Sequence, residues 1–556
     1  MDLLRYSPLF GVVRKAAIFW ILPISLAAVT TMHSTESVLA EKSRLKVGDT
    51  VFETSFSDPS ALDGWEHGPW AKLVPEGPDG VTVLRIDAAG EKTENEDSVA
   101  ADVWGKKIAL KAGRHEISRK LDISDIRGWR VKVAATIRVE NLTPPELPWE
   151  GVRLGLALKT PPNSYDATSY GLPIKAEWHE AVLNHMRIPS DATEVSLYTG
   201  LIAAHGTFWI KDIKITLTEP PMSVIAAQRP PYSQKSTLRG SGSWATEERV
   251  STLVKDWNFN IIKHWLNLPK ADLSKKDYAA QLEKKLEELD VLVGLAKKEG
   301  VKVLVQMALP PSDPTWEDSA LGLTHRVFLD PKLTDLVVES WKTVANRYKG
   351  NPTVWGYDLL NETVLRVPPA PDCPDWEGLA TILANTIHNI DPNVKILVQP
   401  EVWWGTNAFN KLRPINAPNI VYSPHVYAPF ALTHQGITER KSLGLEYPGT
   451  VDGVYWDKAR IREALLPVVE FQKAYGVPMF VTEFSCIRWA ENGSQARWIK
   501  DNIDVFEEFG WDWTYHGVDD WDGWQVGLGE DPANITPIED ASKRVLLEAL
   551  SKNLKK

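Results

Sequence analysis

The chain changes rhythm once along its length. From about Val47 to Thr218, apolar and polar residues alternate with the two-residue period of strands that bury one face. Arg130-Val131-Lys132-Val133-Ala134-Ala135-Thr136-Ile137-Arg138-Val139-Glu140 keeps that alternation for most of its length. Ile213, Ile215 and Leu217 alternate with Lys214, Thr216 and Thr218 in the same way. Clusters of Gly, Pro, Asn and Asp separate these runs, and no long helical period intervenes. The pattern predicts an all-β, jelly-roll-type sandwich over 47–218. Pro220, Pro221, Pro230 and Pro231 then stop any strand and predict a stiff linker over 219–235.

From about Ser236 short apolar runs alternate with helical periods. The runs fall near Thr237–Ser241 and at Asn260–Trp265, Val301–Ala308, Val354–Leu360, Val394–Gln399, Asn419–His425, Pro478–Glu483 and Trp511–Val518. Between them, Leu282, Leu286, Leu289 and Leu292 share one helical face, and Leu333, Val337, Trp341, Val344 and Tyr348 share another. Trp498, Ile503, Phe506 and Phe509 form a third, with Gly510 as its stop. This alternation predicts a (β/α)8 TIM barrel over 236–556, with reactive groups at the C-terminal ends of its strands. Two runs end abruptly in carboxylates. Val354-Trp355-Gly356-Tyr357-Asp358-Leu359-Leu360-Asn361-Glu362-Thr363 ends in an amide and an acid, and Val477-Pro478-Met479-Phe480-Val481-Thr482-Glu483 ends in an acid. Folding would bring Glu362 and Glu483 to one face.

The first forty residues have the build of an export signal. Arg14 and Lys15 precede an apolar run from Ala16 to Thr30, and Val38-Leu39-Ala40 offers a small-residue cleavage site. Cleavage would leave a secreted, periplasmic or cell-surface protein without a membrane partner; retention would leave a signal anchor. A length of 556 residues calls for two or three domains, and the chain divides into the signal 1–40, the sandwich 47–218, the linker 219–235 and the barrel 236–556. Net charge is −11 without a long basic run, which argues against nucleic acid or an anionic membrane as partner. The 24 tryptophans suit a protein that meets sugars, whose C–H faces lie on aromatic rings. In the sandwich Trp65, Trp70, Trp149 and Trp178 are candidates for such a face. With only Cys373 and Cys486, neither a disulfide framework nor a cysteine metal site is encoded. The 12 histidines form no HExxH or comparable pairing, so no metal or other cofactor is expected.

A pair of facing carboxylates is the basic equipment for breaking a glycosidic bond. Tyr357-Asp358-Leu359-Leu360-Asn361-Glu362 on the fourth strand resembles the Asn-Glu motif of glycoside hydrolase family 5 and its relatives. Val481-Thr482-Glu483-Phe484 resembles their nucleophile strand, and Tyr422-Ser423-Pro424-His425-Val426-Tyr427 the His-x-Tyr element between the two. The resemblance implies Glu483 as nucleophile, Glu362 as acid/base, Asn361 on the sugar 2-hydroxyl, and His425 lining the cleft. Tyr427 would hydrogen-bond Glu483. The pattern also departs from that family: Lys263, followed by His264, stands where an Arg is usual, and Ala308 where many members carry His. Thr363 replaces the usual Pro, and His516 occupies the place of a Trp platform that Trp521 and Trp524 would supply instead. At the N-terminus, Val51–Phe56 and Gly206–Ile215 resemble the first and last strands of carbohydrate-binding modules. The expectation is a secreted, monomeric, retaining β-glycoside hydrolase acting internally on a glucan- or mannan-type polysaccharide. The alternative is a noncatalytic polysaccharide-binding protein on a degenerate barrel.

Overall fold

The computed structural model describes residues 45–88, 99–101, 107–109, 113–144, 150–160, 164–169, 172, 174–243, 246–269, 274–311, 325–365, 369–370, 372–401, 405–518 and 520–553. The expected export signal at 1–40 and Trp149 lie outside these residues. Among the described residues, no helix is long and apolar enough to cross a membrane.

Two antiparallel sheets form the N-terminal part. One orders His179–Arg187, Arg130–Glu140, Thr207–Glu219, Val83–Asp87 and Ala71–Val74, with Thr50–Ser55 also paired to Thr207–Glu219. The other orders Arg114–Lys120, Glu194–Ile202, Gly151–Lys159 and Ser164–Ser169. Val131, Val133, Ala135, Ile137 and Val139 are buried, while Lys132, Ala134, Thr136 and Arg138 are only partly so, as the alternation requires. Their faces meet Leu154, Leu156, Leu158, Val195 and Leu197 of the other sheet in a single core, which makes the pair a sandwich. Trp65 is part of that core, whereas Trp70 and Trp178 are partly exposed.

Eight parallel strands follow: Arg239–Gly242, Ile261–Asn267, Lys302–Leu309, Val354–Asp358, Lys395–Val398, Ile420–Tyr422, Phe480–Val481 and Asp512–Tyr515. They pair in the spatial order six to one, then eight and seven, and a parallel bridge from Tyr422 to Met479 closes the ring. The expected (β/α)8 barrel is present. The three predicted helical faces are buried on Lys275–Glu299, Pro331–Tyr348 and Ser494–Glu508, with Phe509 just past the end of the last. Cys373 and Cys486 are free thiols.

The barrel interior is layered. Ile261, Leu304, Leu397, Val421 and Phe480 form an apolar plug. Two residues further along their strands, on the same face, come Lys263, Gln306, Gln399, Ser423 and Thr482, all buried and all polar. The apolar layer supports a polar one, and the glutamates stand above it.

The stretch 219–235 lies along the barrel and includes the helix Met222–Ala227. Gln234 donates from Nε2 to Met479 O at 2.8 Å and accepts from Met479 N at 2.8 Å. Arg229 donates to Tyr475 O at 2.8 Å. Arg130 of the sandwich donates to Lys411 O and Leu412 O of the barrel at 2.8 and 3.0 Å. Its Nε and Arg187 Nη2 both donate to Glu219 Oε2, at 2.7 and 2.5 Å. Tyr475 OH donates to the other oxygen of Glu219 at 2.6 Å. Two buried guanidiniums and one carboxylate therefore tie sandwich, connector and barrel together.

Candidate active site

Beyond Val481 the seventh strand resumes as Glu483–Phe484, which pairs in parallel with His425–Val426. The register sets His425 opposite Glu483. Glu483 is buried, and its bonds are direct. Lys263 Nζ donates to Oε1 at 2.7 Å, and Tyr427 OH donates to Oε2 at 3.1 Å. His425 Nδ1 and His516 Nδ1 lie 3.4 and 3.7 Å from Oε2.

Glu362 follows the fourth strand in a tight turn with its backbone at φ +44°, in the left-handed region. Its amide donates to Gln399 Oε1 at 2.8 Å, and its Oε1 lies 2.8 Å from His425 Nδ1. His425 Nε2 faces Thr482 Oγ1 at 3.1 Å, and that hydroxyl shares a 2.5 Å hydrogen bond with Ser423. Burial lowers His425, but the Glu483 charge and the Glu362 hydrogen bond outweigh it and raise the imidazole. In its charged form it donates from Nδ1 to Glu362 and from Nε2 to Thr482, which satisfies both ring nitrogens. The Glu362 side chain is 20 % exposed against 5 % for Glu483, so it is the more accessible from the cleft.

The two acids have different electrostatic surroundings. Burial raises the Glu362 carboxyl, and the Glu483 charge adds to it; His425 and Lys263 offset this only in part. Burial also acts to raise Glu483, but His425, Lys263 and His516 outweigh it and hold this carboxyl far below the usual range. Burial, with the glutamate charges behind it, raises the Tyr427 phenol, which stays a donor. Burial lowers His516, and Glu483 opposes that shift. The two carboxyls are thus shifted in opposite directions, Glu362 up and Glu483 down, the kind of division that acid/base chemistry needs.

One carboxylate oxygen of each glutamate and one nitrogen of His425 all lie within 4.8 Å of one another. A donor set of this kind could also converge on a metal ion. The Lys263 ammonium already holds Glu483, and His425 already holds Glu362, so an ion would have to displace both bonds.

Of the residues singled out from sequence, Glu362, Glu483, His425, Tyr427 and Lys263 converge. Asn361 is buried beside them, its amide donating to Met307 O at 2.9 Å. Trp524 is 8 % exposed and reaches the site only through Tyr427, with ring centroids 6.1 Å apart. Trp521 is partly buried and packs edge-on against Trp489 and Trp524, with the Arg440 guanidinium 5.7 Å from its ring. His516 packs edge-on against Trp265, and a Cβ on Gly242 would lie 2.5 Å from that indole. Sequence reasoning missed Gln306, Asp358, Gln399 and Thr482 as parts of the site. Their signal was available: each is a polar residue inside or ending an apolar run that reads as a buried strand.

Residues 227–519 match the family model described as Cellulase (glycosyl hydrolase family 5). "Endoglucanase C" of Acetivibrio thermocellus is 26% identical over 223 residues, which cover 35% of this chain and 64% of the relative. The chain thus spans under two thirds of the endoglucanase it matches there. "Cellodextrinase A" of Ruminococcus flavefaciens is 23% identical over 286 residues, 48% of this chain and 81% of the relative. A solved structure of Thermotoga maritima Cel5A in complex with mannotriose superposes with a TM-score of 0.43 at 21% identity, covering 56% of this chain and 97% of that one.

Proposed function

The chain belongs to glycosyl hydrolase family 5, and on that premise we propose that it is an exported, retaining endo-β-glycosidase acting on glucan- or mannan-type polysaccharide. The observation that carries the retaining mechanism is the closeness of the two glutamates, whose nearest oxygens lie within 4.8 Å. Retaining enzymes hold their carboxyls about 5–5.5 Å apart, whereas inverting enzymes leave room for a water between them. Glu483, ionised and held by two donors, Lys263 and Tyr427, attacks the anomeric carbon. Glu362, protonated and open to the cleft, gives its proton to the leaving oxygen and then takes one from the incoming water. Asn361 binds the sugar 2-hydroxyl, and His425 returns Glu362 to its resting position.

Lys263 stands where the family's Arg is usual. It supplies the positive charge but a single point donor in place of a planar fork. The chemistry needs the charge, and the missing second donor bears on substrate preference. The noncatalytic alternative requires a broken glutamate pair, and this pair is intact. Export rests on the build of residues 1–40. The Arg130–Glu219–Arg187 lock favours a sandwich that extends the barrel rigidly over one that trails it as a tethered binding module.

A panel of soluble β-glucans and β-mannans tests this reading. Viscosity falling faster than reducing ends accumulate is expected on one of them. No new reducing ends on any β-linked polymer would overturn it.

A further inference from the structure

Beneath the two glutamates, level with the polar layer, lies a third acid. Asp358, the last residue of the fourth strand, is fully buried. Its Oδ2 accepts from Gln306 Nε2 and from Gln399 Nε2, each at 2.8 Å. Among the described residues, its Oδ1 has no hydrogen-bond partner. Burial, above all, raises this carboxyl to about 6. Gln399, itself 2 % exposed, uses its other end on the active site: Oε1 accepts the backbone N–H of Glu362 at 2.8 Å. One amide thus spans Asp358 and the backbone of Glu362. Its orientation follows from its neighbours, because Asp358 needs a donor and the Glu362 N–H needs an acceptor.

The two glutamates are held differently. Glu483 is fixed through its own carboxylate by Lys263 and Tyr427, with His425 and His516 close by. Among the described residues, Glu362 has only His425 on its carboxyl, and that contact must change whenever the carboxyl gives up or takes a proton. Its aim must therefore come from its backbone, and that backbone sits at φ +44°. The left-handed region costs a non-glycine residue on the order of 1–2 kcal/mol, so the surroundings must hold it there. We infer that Asp358 and Gln399 form a clamp that locks the backbone of Glu362 in the left-handed conformation and so aims its carboxyl at the glycosidic oxygen. Both are positioning residues; neither touches substrate. A carboxylate with one unpartnered oxygen in a barrel interior is costly, and an apolar filling of the same shape would pack without that cost. Orienting Gln399 gives Asp358 a role that such a filling could not take.

The inference rests on Glu362 as acid/base, and its test reads that step alone. Gln399→Met keeps the volume and removes both bonds, together with a long 3.5 Å one from Nε2 to Asn361 Oδ1; Asp358→Asn keeps the shape and removes the acid. Values of kcat/KM are measured on aryl β-cellobiosides of graded leaving-group ability, alongside the melting temperature. With poor leaving groups, which need protonation, Gln399→Met should lose roughly 10- to 100-fold, the scale of a misplacement near 1 Å. With dinitrophenolate, which leaves unaided, the loss should stay within about threefold. Azide should then raise turnover of the dinitrophenyl substrate in the variant and not in the wild type. A uniform loss across the series, or none, would overturn the clamp and leave Asp358 and Gln399 as core. Should Gln399→Met fail to fold, Asp358→Asn gives the same reading with a smaller perturbation. Wild-type product of inverted configuration would instead bring down the acid/base assignment, and the clamp with it.

Discussion

Lys263 and Glu483 form a 2.7 Å ion pair in which neither side chain is more than 5 % exposed. Charges this deeply buried are stable only as a pair, and removing one leaves the other uncompensated. Lys263→Met should therefore raise the Glu483 carboxyl. A nucleophile must be ionised, so activity is present above its pKa and lost as pH falls through it. The acidic limb of kcat/KM should climb by about one to three units, the usual effect of an opposite charge at contact distance. An acidic limb that stays in place would show that Lys263 does not set the charge of Glu483.

His425 acts on both acids, and its removal should look different. It lowers Glu362 through a hydrogen bond and its charge, and it is the strongest of the groups that lower Glu483. With His425→Ala both carboxyls rise. Activity is lost at high pH when the acid Glu362 gives up its proton, so that limb also moves to higher pH. The whole bell should shift in the alkaline direction, with both limbs reported as properties of the coupled pair. A shift of one limb alone would contradict the shared role.

The two tryptophans after the last strand should separate. Trp524 is buried against Tyr427 and His434, so Trp524→Ala should cost about 3–5 kcal/mol of stability and disturb Tyr427. Trp521 is only partly buried, and Trp521→Ala should raise KM for long oligosaccharides while the melting temperature hardly moves. Thermal scans beside oligosaccharide kinetics check both. An unchanged KM together with a large fall in melting temperature would make Trp521 a packing residue.

Glu219 neutralises two guanidiniums whose side chains are 1 % and 2 % exposed. Glu219→Ala should destabilise the protein by about 3–5 kcal/mol, as when one partner of a buried pair is removed. Burial acts to raise this carboxyl, but the Tyr475 hydrogen bond and the two guanidiniums outweigh it and lower it. Its contribution is thus present above the unfolded value and lost as pH falls through the lowered, folded one. Urea titrations at neutral and acid pH should show wild type and variant converging in acid. A constant gap would assign the effect to packing.

Much of this architecture is legible in the chain because its signals are local. Arg130–Glu140 alternates in sequence and in burial, and the eight strands lie where apolar runs predict them. Both glutamates announce themselves at the ends of such runs. Gln399 carries the same signal more weakly, because a glutamine that ends an apolar run reads equally well as a surface residue. Only closure of the barrel, which brings the third, fourth and fifth strands side by side, makes it a partner of Asp358. The contact of Arg130 with Lys411 and Leu412 joins residues some 280 positions apart, and no local pattern records it. The left-handed backbone of Glu362 is equally silent, since glutamate has no preference for that region.

The central claim is a double displacement with Glu483 as nucleophile and Glu362 as acid/base, and azide rescue of two variants tests it most directly. Glu483→Gln should be inactive on every substrate, with or without azide. Glu362→Ala should still form the glycosyl-enzyme from a dinitrophenyl β-cellobioside and then stall for lack of a base. Azide needs no deprotonation and should restore its turnover. The product should be the β-glycosyl azide, because two inversions at one carbon restore the starting configuration. An α-azide, or rescue of Glu483→Gln in place of Glu362→Ala, would contradict the account.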